Sequence, residues 1–535
     1  MKTRISRLAV SYGPAAISGL LLFLSFPKIE WYHLAWIALV PLFVSLYDKS
    51  AAGAFKAGMV CGLIYFFGTT YWIYHSMNVY GSIPLVPSLF IVMLLCAYLS
   101  LYPALFSVLY RATLRKTDLP ALLIAPVFWT CLEFARSYAL TGFPWSTLAY
   151  SQFRFLPLIQ VTDITGVYGV SFLIVAVNGA VADLFLMKKR HARRPLSSIM
   201  PLVIGLSCVG LALAVSFVYG VYRLNQTRAG NNISVAVVQG NIEQDRKWDP
   251  LYQEEVVKVY EGLSASLSSR SPQLIVWPET SLPFLFDRDP KRTERLIEFQ
   301  RSLGSYLLFG SILGRPREAG EKPDKQAGAV SSSSSAEDSF DGFTNSAVLL
   351  DRDGKVSYTY DKIHLVPFGE YVPLRSMLFF VDKLAFGVGD YLPGLRYTKA
   401  VTPFGSFGTL ICYEIVFPGL VRKFYTHGGD FIVTITNDAW FGRTSGPYQH
   451  FSMAVFRAIE NRKPIIRAAN SGISGFIDSS GRIEETSGLF TRESLIRQIR
   501  TDSTLTLYTK YGDLFSFLCI VASVFLLLVS APLKR

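Results

Sequence analysis

Long apolar runs separated by short polar segments fill the first 221 residues of the chain. A helix needs about 20 mostly apolar residues to cross a bilayer. Runs of roughly that length lie near residues 8–26, 32–47, 53–74, 85–110, 119–137, 164–187 and 199–221, and another lies near 513–532. The pattern predicts eight transmembrane helices. The 119–137 run is the weakest, because Glu133 and Arg136 lie near its end.

Residues 222–512 follow a different pattern, in which short apolar runs alternate with amphipathic segments. Such interleaving of strands and helices indicates a layered α/β domain. Strands are predicted at 233–240, 273–279, 305–312, 345–351, 407–413, 430–437, 464–470 and 474–481, and helices at 251–269, 290–303 and 449–463. The Ser-, Gly- and charge-rich residues 315–342 predict a disordered excursion. We therefore expect three parts, at residues 1–221, 222–512 and 513–535.

The charge distribution predicts how these parts lie across a membrane. The 535-residue chain has a net charge of +13, yet residues 222–512 hold 34 basic and 32 acidic residues. The excess of positive charge lies in the hydrophobic remainder, which is an orientation signal rather than a nucleic-acid footprint. The positive-inside rule then places both termini in the cytoplasm and residues 222–512 on the far side. The first run could also be a signal peptide, but the lack of an A-x-A-like site favours a retained helix.

Cysteine usage singles out one thiol. Of six cysteines only Cys412 lies in the polar part, and no CxxC or Cys–His metal spacing occurs. The sequence therefore supports neither a disulfide framework nor a zinc site. Cys412 stands at the end of the apolar run GTLIC, where a helix is predicted to begin.

Two further polar groups stand near strand ends. Glu279 ends LIVWPE, and Lys362 lies in YDKIHLVPFGEYVP. The carboxyl ends of strands in α/β sheets collect ligands, and a thiol nucleophile needs a base and a stabilising cation. Each residue also has a structural interpretation: Cys412 as a small core residue, Glu279 as a helix cap and Lys362 in a solvated turn. His364 is an alternative base.

The order of these motifs resembles a known superfamily. Glu in VWPET, Lys in YDKIHLVPFGEYVP and Cys in LICYE resemble the Glu–Lys–Cys triad of the nitrilase, or carbon–nitrogen hydrolase, superfamily. With seven predicted spans before this domain and one after it, nearly the whole chain resembles the apolipoprotein N-acyltransferases. VQGNIEQDRKWDP, GFPWSTLAYSQ and TNDAWFG match that family as well.

The resemblance implies an α-β-β-α sandwich and a two-step acyl transfer. Glu279 would be the general base, Cys412 the nucleophile and Lys362, with backbone amides such as that of Tyr413, the oxyanion stabiliser. The acyl chain would pass from the sn-1 ester of a phospholipid, typically phosphatidylethanolamine, through a cysteine thioester to the α-amine of the N-terminal diacylglyceryl cysteine of an apolipoprotein. No metal or organic cofactor is implied. We expect a monomer in the bacterial inner membrane with a periplasmic catalytic domain.

Supporting roles are implied for four other residues. Glu370 would be a second carboxylate at the site, Tyr413 and Glu414 match positions that the family needs for activity, and Trp248 matches a residue on a mobile arm near the pocket. Each also has a structural interpretation, such as packing for Trp248 or pairing of Glu370 with an Arg. Asn437, Asp438 and Trp440 are expected to shape the pocket wall.

Lipid chemistry also fits the apolar segment 377–394, where Phe379, Phe380 and Phe386 are expected to contact acyl chains or the membrane surface. Two other functions stay open. A membrane-anchored nitrilase or amidase would use the same triad on a small C–N substrate, and a transporter or assembly scaffold would carry an inert domain. The scarcity of charge pairs within the predicted spans argues against a transporter.

Overall fold

The apolar part of the chain forms a bundle of helices. The computed structural model describes residues 2–191, 199–226, 230–316, 340–371 and 391–530. The helices of the first part are α1 (Lys2–Leu24), α2 (Val40–Leu46), α3 (Ala51–Thr70), α4 (Ile73–His75), α5 (Leu85–Lys116), α6 (Ala121–Arg136), α7 (Leu156–Ile159), α8 (Thr162–Thr165), α9 (Val167–His191) and α10 (Ile199–Asn225). A last apolar helix, α17 (Leu514–Val529), returns to pack on α6.

Four helices in the described ranges are long and apolar enough to cross a membrane. They are α3, α5 and the segments Val167–Met187 and Met200–Asn225 of α9 and α10. Shorter apolar stretches occur at Ser11–Leu24, Tyr32–Leu46 and Leu514–Val529. Each predicted apolar run is thus mainly helical, although the second is divided between a 3₁₀ turn, Tyr32–Trp36, and α2.

The ionisable residues of α6 face protein rather than lipid. Glu133 and Arg136 are both buried. The Oε1 atom of Glu133 accepts a hydrogen bond from the Leu148 N–H at 2.8 Å. Arg136 donates to the Phe143 carbonyl at 2.7 Å and to the Trp145 carbonyl. These two side chains therefore hold the non-helical backbone of residues 142–148, as a sheltered turn near a membrane requires.

In its described residues, the polar part of the chain forms two six-stranded sheets and their flanking helices. Its helices are α11 (Gln244–Lys247), α12 (Gln253–Ala265), α13 (Pro290–Leu303), α14 (Pro418–Tyr425), α15 (Gly446–Asn461) and α16 (Leu507–Tyr511). Its strands are β1 (Asn232–Gln239), β2 (Leu274–Val276), β3 (Tyr306–Pro316), β4 (Phe340–Leu350), β5 (Val356–Asp361), β6 (Ala400–Thr402), β7 (Gly405–Ile411), β8 (Phe431–Thr436), β9 (Ile465–Ala469), β10 (Gly475–Ile477), β11 (Ile483–Thr486) and β12 (Glu493–Arg500).

The strand order places parallel strands at the centre of each sheet. One sheet has the order β12-β1-β2-β3-β4-β5 and the other β11-β10-β9-β8-β7-β6. The pairs β1/β2, β2/β3, β7/β8 and β8/β9 are parallel, whereas the outer pairs are antiparallel. Parallel strands buried on both faces are typically apolar throughout, which explains the continuous runs seen in the sequence.

Side chains alternate between the two faces of the first sheet. Val235 and Val276 share a hydrophobic core with residues of the second sheet such as Leu410. Their chain neighbours Ala236 and Trp277 point the other way, into a core shared with α12 and α13. Because successive strand residues face opposite sides, the first sheet is covered by the second sheet on one face and by helices on the other.

Buried ion pairs join the polar part to the helical bundle. Asp163, at α8, accepts from Arg462 at 2.8 Å and from Arg223 at 3.0 Å. Glu460 of α15 accepts from the backbone N–H of Val167, the first residue of α9, at 3.0 Å. The bundle therefore fixes the position of α15, a helix that packs against β10 of the second sheet.

One sequence prediction needs correction. The excursion predicted for residues 315–342 is wrong at its ends, because Arg315 pairs with Gly342 and Pro316 with Phe340 across β3 and β4. The strand pairing extends into the polar segment because backbone hydrogen bonds do not depend on side-chain polarity. The rest of that segment, and residues 377–390 with Phe379, Phe380 and Phe386, lie outside the described residues.

Four strands were not predicted at all, namely β5, β6, β11 and β12. All four are short or partly exposed strands in antiparallel pairs at the outer side of their sheets. In β5, for example, exposed and buried residues alternate, as in V-S-Y-T-Y. An edge strand buries only one face, and so it lacks the apolar run by which central strands are recognised.

Candidate active site

Three strand ends bring the predicted triad residues together. Glu279 lies three residues after β2, Lys362 follows β5 directly, and Cys412 follows β7 directly. Glu279 and Lys362 belong to the first sheet and Cys412 to the second. The site therefore lies between the sheets, and all three side chains are buried.

Glu279 is held by donors from both sheets. Its Oε1 atom accepts from Asn345 Nδ2 at 2.8 Å and from Lys362 Nζ at 3.4 Å. Its Oε2 atom accepts from the backbone N–H of Asn437, after β8, at 2.9 Å. The close approach of β3 behind it requires a glycine, because a Cβ on Gly310 would collide with the backbone of Thr280. The carboxylate is thus fixed in orientation, as a general base must be.

Lys362 bridges two carboxylates. Its Nζ atom lies 2.9 Å from Glu370 Oε1 and 3.4 Å from Glu279 Oε1. Burial opposes the charged ammonium, but the attraction of Glu370 and Glu279 outweighs it and raises the pKa of Lys362 above its usual value. Lys362 is therefore a permanent, buried positive charge at this site.

Asn345 and Glu370 complete this cluster. The Asn345 amide donates one N–H to Glu279 and the other to Glu370 Oε1 at 2.9 Å, which fixes its orientation. The second oxygen of Glu370 accepts from the Val366 N–H at 2.8 Å. The Lys362 backbone N–H also donates to the Asn345 carbonyl at 2.8 Å. Glu370 therefore meets Lys362 and Asn345 at the site, and its predicted role as a supporting carboxylate stays a prediction.

Cys412 has a strained backbone and a buried thiol. Its φ angle is +52°, in the left-handed region that costs a non-glycine residue roughly 1–3 kcal/mol. Burial, and then the negative charge of Glu279, raise the pKa of the Cys412 thiol. Lys362 and a hydrogen bond with Thr436 act in the opposite direction. The resting thiol is therefore protonated, and it needs a base at the moment of attack.

Glu414 joins the two triad segments through hydrogen bonds. Its Oε1 atom accepts from the Tyr360 hydroxyl and the Ile363 N–H, both at 2.7 Å, and from the His364 N–H at 3.1 Å. Its Oε2 atom accepts from the Ile411 N–H at 2.8 Å. Glu414 thus ties the Lys362 segment to the strand that ends at Cys412. Burial raises the pKa of Glu414 to about 7, although these hydrogen bonds resist the change.

His364 does not have the surroundings of a base for Cys412. Its ring packs on Phe417, with 3.9 Å between ring centroids, and beside Tyr413 at 5.8 Å. Burial, and then the charge of Lys362, lower the pKa of His364 to about 4. Within the described ranges, no hydrogen bond joins His364 to Cys412. The charge of Glu279, by contrast, acts on the Cys412 thiol, which favours Glu279 over this alternative.

The segment before α12 reaches the site through Lys247. This buried side chain donates to the Glu279 carbonyl at 3.1 Å and to the Thr280 hydroxyl. Burial lowers the pKa of Lys247 to about 8, opposed by Glu279. The neighbouring Trp248 is 39% exposed. The predicted pocket residue Trp248 therefore lies on a segment anchored to the Glu279 backbone, and its predicted mobility stays a prediction.

The arrangement can perform covalent acyl chemistry. Glu279 can accept the proton of Cys412, and the Lys362 ammonium can stabilise negative charge that develops on an attacked carbonyl oxygen. Among the described residues, no group of three or more His, Cys, Asp or Glu side chains is arranged to hold a metal ion.

Sequence reasoning missed three polar residues of this region: Asn345, Lys247 and His450. Asn345 lies inside β4 and His450 inside α15, so neither stands at a strand end or turn. The usable signal was a polar residue within an otherwise apolar run, since a buried polar group needs partners. His450 Nε2 lies 3.1 Å from the Cys412 carbonyl oxygen.

Two protein-family descriptions match this chain, one for each of its two main parts. Residues 18–180 match the family described as apolipoprotein N-acyltransferase N-terminal domain, and residues 234–506 match carbon-nitrogen hydrolase. Apolipoprotein N-acyltransferases of Geobacter metallireducens and Pasteurella multocida are 40% and 31% identical. These alignments cover 96% and 94% of this chain, and 94% and 92% of the relatives.

Among solved structures, an amidase from Nesterenkonia sp. is 19% identical, with a TM-score of 0.36 over 51% of this chain and 92% of that chain. The family matches and the two full-length relatives confirm the resemblance found in the motifs. The chain therefore belongs to the apolipoprotein N-acyltransferase family, which joins an apolar helical domain to a carbon-nitrogen hydrolase domain.

Proposed function

We propose that this chain moves an acyl chain from a membrane phospholipid to the N-terminal amine of a diacylglyceryl-modified lipoprotein. The observation that carries the proposal is the buried Lys362 ammonium, which lies between Glu279 and Glu370 at the same site as the Cys412 thiol. Membership of the family, whose relatives are named for this activity, supports the choice of substrates.

The first step forms an acyl-enzyme. Glu279 accepts the Cys412 proton while the sulfur attacks the sn-1 ester carbonyl of phosphatidylethanolamine. Lys362 and the Tyr413 N–H stabilise the tetrahedral oxyanion. The C–O bond to glycerol then breaks, Glu279 returns the proton to the departing alkoxide, and a lysophospholipid leaves. The product is a Cys412 thioester.

The second step consumes the thioester. The α-amine of the N-terminal diacylglyceryl cysteine attacks the thioester carbonyl and loses a proton to Glu279. The C–S bond breaks as the amide C–N bond forms, and the Cys412 sulfur recovers its proton. This double displacement releases the first product before the second substrate reacts, which is ping-pong catalysis.

The architecture that suits this chemistry has eight membrane-crossing helices. The basic loops between apolar runs support an inner-membrane orientation with both termini in the cytoplasm and the catalytic domain in the periplasm. The proposed parts are 1–221, 222–512 and 513–535. Sharing of one core by the two sheets, with helices on the outer face of the first, supports an α-β-β-α sandwich. We propose a monomer that acts without a metal or organic cofactor.

The experiment is transfer to an acceptor of defined chemistry. Purified protein in micelles receives phosphatidylethanolamine and a short peptide with an N-terminal diacylglyceryl cysteine, and the peptide mass is followed. We expect one fatty-acyl addition at the α-amine, and none with an N-acetylated peptide. Release of free fatty acid with no change in the peptide would contradict the proposal and favour a hydrolase.

A further inference from the structure

The backbone carbonyl of Cys412 has a dedicated side-chain partner. His450 Nε2 lies 3.1 Å from the Cys412 oxygen, and both residues are buried. A carbonyl oxygen can only accept, so Nε2 carries the hydrogen and donates. His450 comes from the second turn of α15, 38 residues farther along the chain. The contact therefore ties the turn that contains Cys412 to α15.

A buried network fixes the His450 ring. Its Nδ1 atom lies 3.0 Å from both Asp438 Oδ1 and Arg467 Nη2. Arg467 also pairs with Asp438 Oδ2 at 2.8 Å. Burial, and then Arg467, lower the pKa of His450, so the ring stays neutral and Nδ1 accepts from Arg467 while Nε2–H donates. The ring has no freedom to turn without breaking these contacts.

The helical bundle covers one face of this ring. Trp145, from the turn held by Arg136, stacks on His450 with 5.8 Å between centroids and 23° between planes. Its indole N–H donates to Gln449 Oε1, next to His450, at 2.7 Å. Residues 142–148 of the apolar part thus contact the helix that supports the nucleophile.

Peptide geometry gives the His450 contact a chemical consequence. The Cys412 C=O and the Tyr413 N–H belong to one planar trans peptide, so they point in opposite directions. Tyr413 also stands in the first turn of the 3₁₀ segment Cys412–Val416, where N–H groups have no partner within the helix. A hydrogen bond that fixes the carbonyl therefore fixes the direction of a free N–H.

We propose that His450 is a positioning residue that orients the Tyr413 N–H as an oxyanion donor. This inference rests on the proposed function, because it concerns the oxyanion of the acylation step. Oxyanion donors act through preorganisation, and losing one costs about 10²–10³-fold in rate. Loss of its orientation alone leaves the N–H in place, so we expect roughly 10–100-fold slower thioester formation.

Two substitutions of His450 test the contacts of its two ring nitrogens separately. In His450→Gln the amide nitrogen is as many bonds from Cα as Nε2, so it can still donate to the Cys412 carbonyl. In His450→Asn the amide reaches only as far as Nδ1, so the donor to Cys412 is lost while the amide oxygen can still accept from Arg467. Ser452→Ala is the matched control, because Ser452 is buried on the same helix and donates to Gln449 O.

The experiment compares two reactions of the same thiol in the full-length protein. Thioester formation from phosphatidylethanolamine passes through an oxyanion, whereas alkylation of Cys412 by iodoacetamide, followed by peptide mass spectrometry, does not. We expect His450→Asn to slow acylation at least tenfold with alkylation within about twofold of wild type. His450→Gln should recover most of the rate, and Ser452→Ala should match wild type.

Several results would overturn the inference: normal acylation in folded His450→Asn, parallel losses of acylation and alkylation, or no recovery in His450→Gln. If His450→Asn does not fold, the test rests on His450→Gln. Acylation near the wild-type rate in that variant supports the inference. A tenfold loss of acylation with normal melting temperature and normal alkylation of Cys412 overturns it. If wild-type protein forms no adduct while its Cys412 alkylates normally, the proposed function fails rather than the role of His450.

Discussion

The helical bundle and the α/β part both bury ionisable side chains, but three of those in the bundle have partners of a different kind from Lys362. In the bundle, Glu133 and Arg136 bind backbone atoms of a turn, and Asp183 accepts from the backbone N–H groups of Ala121 and Leu122 at 2.9 and 3.0 Å. At the site, by contrast, Lys362 meets other side chains. Charges that satisfy backbone groups stabilise a fold. An ammonium that contacts carboxylate side chains, beside a thiol, is available for chemistry.

Glu414 lies between these two cases. It belongs to the α/β part and follows Cys412, yet three of its four hydrogen bonds come from backbone N–H groups. These contacts indicate a structural role for Glu414, two residues after Cys412. Substitutions at Lys362, at Glu414 and in the helical bundle should therefore differ in how much they lower activity and how much they lower stability.

The largest effect is expected for Lys362→Met. Removing the ammonium takes away the positive charge that is proposed to stabilise the oxyanion. It also leaves Glu279 and Glu370 without their shared cation. We expect thioester formation to fall by about 10²–10³-fold or more, measured in single turnover by intact mass. Lys399→Met is the control, because Lys399 binds the backbone carbonyls of His427 and Gly428 away from the site. Equal losses in both variants would contradict the assignment.

Glu414→Gln should lower activity and stability together. The amide can replace only one oxygen acceptor, and its NH₂ group faces either the Ile411 N–H or the donors around Tyr360. A buried donor left without a partner costs about 1–3 kcal/mol. We expect a lower melting temperature and slower acylation at Cys412. A variant with wild-type melting and reduced acylation would show that Glu414 acts directly in the chemistry.

The same residue gives a pH dependence. The folded-state pKa of Glu414, about 7, lies above its ordinary value of 4.5. Its stabilising contribution is therefore complete below about pH 4.5 and is lost as the pH rises through 7, at up to about 1.4 kcal/mol per pH unit. Melting temperature measured from pH 4.5 to 7.5 should fall more in wild type than in Glu414→Gln. Parallel curves would contradict this sign.

The smallest effect on chemistry is expected for Asp183→Ala. The variant leaves the first N–H groups of α6 unsatisfied, a loss worth about 1–2 kcal/mol for a helix cap. We expect a lower melting temperature and an unchanged acylation rate per folded molecule at a permissive temperature. A fall in the acylation rate without a change in melting temperature would contradict the structural role assigned to Asp183 in the helical bundle.

The sequence was most informative where burial and chemistry coincide with an element boundary. Central strands such as β1 and β8 have continuous apolar runs, and Glu279, Lys362 and Cys412 stand at or just after strand ends, so pattern and motif both found them. The catalytic roles of these three residues stay predictions.

Other features could not be recognised from the amino-acid sequence alone. Helix α15 is buried on every side between the second sheet and the bundle, so its polar residues gave no sign of facing the site rather than solvent. His450 and Asn345 acquire their meaning only from partners that are distant in the sequence. Edge strands such as β5 lack apolar runs for the reason given above.

The most direct test of the account is the intact mass of the purified protein after incubation with phosphatidylethanolamine, beside Cys412→Ala. We expect a fatty-acyl mass increase in wild type that hydroxylamine removes and that Cys412→Ala lacks. An adduct that persists in Cys412→Ala, or no adduct in folded wild-type protein supplied with lipid, would contradict the claim that the buried cluster around Lys362 serves acyl transfer through Cys412.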